Sequence, residues 1–276
     1  NILFKDLASH PKSGEAYISL SVIQNGAYVP VVLIANQGGE IRLLDLGNAK
    51  YTKLKLANTP VEEFKFWDDV NARSLTITDM DFHNGKLYIS GLSNKDFAST
   101  LRVADYPFND KVSVSNVEIF HTNHAQMETR APIRTMTIVN LKGKDYVLAA
   151  YTCTPLVTIP LEDLKDGTKV FGKTISELGY GNTPVDLIPF TAQDWNKNQF
   201  EVVLLNNKNQ SAQLIPLAKL EEGNQKEGMK QFMNFQKGGI AANDLPLTGI
   251  MQMADLDGYH LLTLRRDVDN GDVELI

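Results

Sequence analysis

The apolar positions fall in short runs of Val, Ile, Leu and Tyr, broken repeatedly by Gly, Pro, Asn and Lys. Strand-length runs bounded by turn residues predict β-strands throughout. A first group comprises Ile2 to Ser9, Ala16 to Val22, Val29 to Ala35 and Ile41 to Leu46, and reads as a four-stranded meander. A second comprises Leu75 to Phe82, Leu87 to Gly91, Thr100 to Tyr106 and Val114 to Phe120. Its Asn84-Gly85 suits a tight hairpin turn, because both residues tolerate positive φ. A third holds Ile133 to Leu141, Tyr146 to Tyr151 and Leu156 to Leu161, and a fourth Val185 to Phe190, Phe200 to Leu205 and Ala212 to Leu217. The fifth has Gly249 to Leu256, Tyr259 to Arg265 and Val273 to Ile276. Only Leu161 to Lys165, Ile175 to Leu178 and Leu217 to Glu222 carry helical character, too little for crossover helices. Across the second and third groups, Ile77, Met80, Phe82, Ile133 and Met136 are expected to pack near inner strands of two adjacent blades.

Repetition at roughly 40 to 50 residues, with several strands per repeat, is the signature of propeller blades. The expected fold class is all-β, a β-propeller of four-stranded antiparallel blades with about five visible. Residues 1–276 are expected to form a single propeller domain, incomplete at both ends, because Asp272 to Ile276 looks like the middle of a hairpin. The rival arrangement has the first strand completing the last blade.

The runs Leu7 to Ser19, His121 to Thr135 and Ala149 to Pro155 resemble uncharacterised bacterial secreted proteins of the YVTN and quinoprotein amine dehydrogenase-like propeller superfamily. This resemblance implies a ring of about seven blades. It also implies a periplasmic or secreted location and a repeat protein engaged in protein binding. It implies no particular reaction, because propellers host unrelated functions.

At 276 residues and 43% hydrophobic, the chain can bury a sizeable core. Its formal net charge of -6 disfavours nucleic acid and anionic membrane surfaces. No apolar run approaches the roughly 20 residues of a membrane span. The expected partner is a protein, a larger assembly or a small ligand, with no nucleic acid and no membrane span. Cys153 is the single cysteine, which excludes an internal disulfide and a multi-cysteine metal cage. The chain starts at Asn1 without a basic-then-apolar leader, as in a mature or truncated product.

The densest polar cluster lies between the second and third groups, from His121 to Thr135. His121, His124 and Glu128 supply imidazole and carboxylate donors for zinc, copper or iron. Against this, histidines three apart converge on a turn and diverge on an extended strand. Arg130 and Arg134, an even number apart, would share one face of a regular strand and form an anion receptor with Glu128 nearby. The structural alternative is an inter-blade clamp. In that reading Glu128 pairs with an arginine, or Asp79, Asp81 and Asp186 neutralise the guanidinium groups.

Cys153, between Thr152 and Thr154, reads as a small buried hydrophobe, since no base adjoins it in sequence. Asp267 to Glu274 has the look of a calcium loop, but Gly271 falls where a ligand is required, and Asn270-Gly271 reads instead as a hairpin turn. Trp67 and Trp195 stand in polar loops, as lids over blades or as anchors for a partner. Met229, Met233, Met251 and Met253 read as core or loop residues. No nucleophile elbow, His-Glu-x-x-His helix or dinucleotide loop is present, and no cofactor is clearly encoded.

These features predict an extracytoplasmic, non-catalytic binding or scaffold subunit. The alternative is a metal-dependent oxidoreductase or hydrolase with its site at the propeller channel.

Overall fold

The computed structural model describes residues 2–66, 69–208 and 210–276. Trp67 lies outside the described residues. The first unit is an antiparallel meander of β1 (Ile2–Ser9), β2 (Ala16–Gln24), β3 (Ala27–Ala35) and β4 (Ile41–Leu43). A two-strand ribbon of β5 (Lys65–Phe66) and β6 (Val70–Asn71) then runs into a 3-10 turn at Ala72–Leu75. The Asn71 side chain caps this turn, its Oδ1 accepting the Arg73 N–H at 2.9 Å.

The second unit contains β7 (Asp79–His83), β8 (Lys86–Leu92), β9 (Ser99–Asp105) and β10 (Val112–His121), with β11 (Gln126–Glu128) folding back on β10. The third contains β12 (Ile133–Leu141), β13 (Lys144–Tyr151), β14 (Pro155–Pro160) and β15 (Lys169–Glu177). In the fourth, β16 (Pro184–Gln193), β17 (Gln199–Asn207) and β18 (Ala212–Pro216) are followed by the helix α1 (Leu217–Gln225). After the helix, β19 (Gly238–Gly239) pairs with β15, and β20 (Asn243–Leu245) completes the fourth sheet beside β18. The fifth unit is β21 (Ile250–Asp255), β22 (Leu261–Arg266) and β23 (Val273–Leu275).

The inner strand of each unit faces a common centre. β7 packs beside β12, β12 beside β16, β16 beside β21 and β21 beside β1, whereas β1 and β7 scarcely touch. All five line a central channel of about 760 Å³. The chain is therefore an all-β propeller of antiparallel blades. β1 stays within its own sheet and does not complete the fifth.

The second and third units are joined further out, because their outer strands pair in parallel from Asn116 with Lys169 to Ile119 with Gly172. Eight strands thus form one nearly closed sheet from β12 round to β7. Its interior is filled by Leu101, Val117, Ile119, Ile133, Val147, Val157 and Ile159, each at most 1% exposed.

A repeated backbone irregularity sets the inner strands. Register slips by one residue at Arg134, Val185 and Met251, each the second residue of its strand (β12, β16 and β21), and at Lys5, the fourth residue of β1. Such bulges re-aim side chains at sheet edges and channel rims. Asp186, directly after the β16 bulge, and Asp79 and Asp81 in the regular strand β7 reach across to the neighbouring blade. Asp186 Oδ2 accepts the Met253 N–H at 2.6 Å, and Asp79 in β7 accepts the Met136 N–H at 2.6 Å. Asp81 reaches the Ile138 N–H at 2.7 Å. These aspartates fasten blade to blade through backbone amides and neutralise no arginine, contrary to the clamp expected.

Several strand expectations change. The segment from Leu75 to Phe82 is not one strand, because the Asn71-capped turn occupies its start. Ile77, Met80 and Phe82 are exposed, since Asp79 and Asp81 take the positions of β7 that reach the neighbouring blade, and Met80 and Phe82 alternate with them. Ile133 and Met136 are buried as expected. Ile175 to Glu177 forms the end of β15, with Leu178 just beyond it, and not a helix, and α1 extends the helical reading at Leu217. Asp267 to Asp272 is the β22–β23 turn, as read.

Candidate functional site

Four segments meet where the third and fourth units begin their inner strands. The first is the tight turn after β10. His124 N–H donates to the His121 carbonyl at 3.2 Å, so the chain reverses between the two histidines. That reversal brings together side chains that an extended strand would separate, and the ring centroids stand 4.0 Å apart. The second is the β13–β14 connection, Thr152 to Thr154. The third is the end of β15 with the loop to β16, and the fourth is the 229–240 loop.

Asn123 ties three of them. Its Nδ2 donates to Thr154 Oγ1 at 2.7 Å, and its Oδ1 accepts the Phe235 N–H at 2.7 Å. Buried amides that satisfy both ends of a side chain in this way hold loops in one arrangement.

The outcome is a cluster that the spacing in sequence does not disclose. One donor atom from each of His121, His124 and Cys153 lies within 4.8 Å of the other two. Cys153 is half-buried and has φ of 84°, a left-handed backbone costly for a residue with a side chain. It is therefore not the inert core residue expected, since a strained turn presents its sulfur to two imidazoles.

Glu128 pairs with both rings and with neither arginine. Its Oε1 is 3.0 Å from His124 Nδ1 and 3.7 Å from His121 Nδ1. Hydrogen bonding to His121, against the opposing effect of burial and with help from His124 and Gln126, holds the Glu128 carboxyl down to about 2. Burial works against a charged His121, but the adjacent Cys153 sulfur and the Glu128 carboxylate push its ring up to about 9. Glu177, 1% exposed, adds a further carboxylate that accepts the Thr122 hydroxyl.

The arginines separate. Arg130 lies outside the strands, with its guanidinium 4.8 Å from the centre of the Phe64 ring. Arg134 is the bulged residue of β12 and lines a pocket of about 350 Å³ with Cys153, Tyr180, Asn182 and Phe235. The two therefore share no regular strand. The pocket is distinct from the central channel, which is lined by other residues. Trp195 projects fully into solvent and covers no blade. Among the described residues, no helix is long and apolar enough to cross a membrane.

An imidazole–imidazole–thiolate set could hold a soft or borderline metal ion. A carboxylate beside both rings orients them and raises their basicity, as outer-sphere partners of metal-ligating histidines do.

No protein-family model matches the chain, and no curated protein matches it either. Among solved structures it is similar to Bacteroides ovatus xyloglucan PUL GH43B, at 10% identity and a TM-score of 0.39, over 96% of this chain and 49% of that one. It thus spans about half of that protein's length. It is also similar to Kuenenia stuttgartiensis hydrazine synthase, at 12% identity and a TM-score of 0.46, over 99% of this chain and 83% of that one.

Proposed function

We propose that this is an extracytoplasmic propeller of the YVTN and quinoprotein amine dehydrogenase-like kind that binds a zinc or copper ion at His121, His124 and Cys153. The location and superfamily rest on the resemblance of Leu7 to Ser19, His121 to Thr135 and Ala149 to Pro155. The metal reading rests on one observation, the three donor atoms within 4.8 Å of one another. Three protein ligands beside a pocket match the pattern of sites that keep a coordination position for an incoming molecule. Binding is then the primary activity, and any oxidative or hydrolytic chemistry would occur at this pocket, away from the channel.

Titration of the metal-stripped protein with Zn²⁺ and with Cu⁺, followed by native mass spectrometry, tests this. The expected result is one tightly held ion per chain, weakened ~100-fold by Cys153→Ser or His124→Ala and ~10-fold by Glu128→Gln. Absence of stoichiometric metal, together with rapid alkylation of Cys153, would replace this reading with thiol chemistry.

A further inference from the structure

The pocket beside Cys153 contains polar groups with no task inside the protein. Asn182 is 5% exposed, and among the described residues neither its side-chain nitrogen nor its side-chain oxygen has a hydrogen-bond partner. The Thr152 hydroxyl is likewise buried and unpartnered. Native structures seldom leave both ends of a buried amide unsatisfied, so such a group marks a place completed by something bound. Arg134 stands at the same pocket, turned out of its ladder by the β12 bulge. Among the described residues its guanidinium has no carboxylate or carbonyl partner. The lining is also aromatic, with the Tyr180 and Phe235 rings edge to face at 5.7 Å.

We infer that this pocket binds a small aromatic carboxylate that carries a hydroxyl beside the carboxyl group. Among the described lining residues the Arg134 guanidinium is the only charge of fixed sign, which selects an anion, and its planar fork matches a carboxylate. A phosphate dianion would call for more than one cation. Asn182 offers a donor and an acceptor together, so the ligand must bring an acceptor and a donor. A carboxylate oxygen and a neighbouring hydroxyl supply both. Tyr180 and Phe235 then take the ring of the ligand by edge and face contacts. The groups that would recognise the ligand, Arg134, Asn182, Tyr180 and Phe235, are not the proposed metal ligands, although Cys153 also lines the pocket.

Isothermal titration of the purified protein with mandelate, phenylacetate, mandelamide and inorganic phosphate tests it. Mandelate should bind saturably at one site. Phenylacetate, which lacks the hydroxyl, and mandelamide, which lacks the charge, should each bind ~10-fold or more weakly, and phosphate should not compete. Arg134→Gln, at an exposed position that leaves folding intact, should weaken mandelate ~30-fold and erase its advantage over mandelamide. Asn182→Leu should erase the advantage over phenylacetate. Mandelate should bind the metal-stripped protein saturably, in the absence of any ion, so failure of one reading is separable from failure of the other. No saturable binding of mandelate at millimolar concentration, equal binding of mandelamide, or an unaffected Arg134→Gln variant would each overturn the inference.

Discussion

Cys153 combines a strained backbone with a place beside two imidazoles. A left-handed φ of 84° favours glycine, and a cysteine kept there forgoes about 1 kcal/mol or more of backbone stability. Replacing it with glycine relieves that strain, removes a half-buried sulfur and adds chain entropy to the unfolded state, effects of similar size and mixed sign. Cys153→Gly is therefore expected to unfold within about 1 kcal/mol of the parent in denaturant titration of metal-free protein, while its metal affinity falls ~100-fold or more. A loss of about 3 kcal/mol would instead mark an ordinary core cysteine. The histidine pair and Glu128 were legible in sequence because one short turn contains them. Cys153 was not, since its approach depends on how the β13–β14 connection sits over the β10 turn, and no local pattern encodes that. Arg134 was legible as a candidate anion receptor, but its separation from Arg130 required the bulge.

Elements differ in how completely they are buried, and this predicts where the molecule opens first. The central residues of β13 and β14 are buried on both faces, whereas β4 is exposed along its length and β1 nearly so. Amides with buried ladders exchange only on larger openings. Hydrogen exchange should therefore be slowest in 145–160 and in the parallel-paired segments 116–119 and 169–172, and fastest in the first unit. Uniform protection across all units would contradict the central place given to the joined second and third blades. Most strands were legible from their turn-bounded apolar runs. β15 was missed, although Val170, Gly172 and Thr174 alternate inward against Lys169, Phe171 and Lys173, because a glycine interrupts the apolar face. The start of β7 was misread because polar capping by Asn71 outweighs the apolar character of Leu75 and Ile77.

Across the whole molecule, the blades are held together by carboxyl groups in an acidic channel wall. Burial, with a smaller contribution from the Asp186 charge, pushes Asp79 up to about 8, and burial pushes Asp186 up to about 7. Both values lie above the ordinary carboxylate range of about 4, so the neutral form is favoured in the folded ring. Their contribution to stability is complete below about pH 4 and is lost as pH rises through 7 and 8. Surface carboxylates whose values are lowered, such as Asp194 and Asp267, act in the opposite sense and only in acid. Thermal melts should show declining stability from pH 5 to pH 9, and the Asp79→Asn, Asp186→Asn pair should flatten that decline. A decline unchanged in the double variant would assign it to other groups. The ring itself was legible from the repeats, but the loose β1–β7 junction and the parallel seam were not, since neither leaves a mark on the local pattern. The central claim is the metal centre built where these blades meet. X-ray absorption on the zinc-loaded protein tests it most directly. The account predicts one sulfur neighbour at about 2.3 Å and two imidazole nitrogens at about 2.0 to 2.1 Å, with the sulfur shell lost in Cys153→Ser. A zinc environment of oxygen and nitrogen alone, identical in that variant, would contradict it.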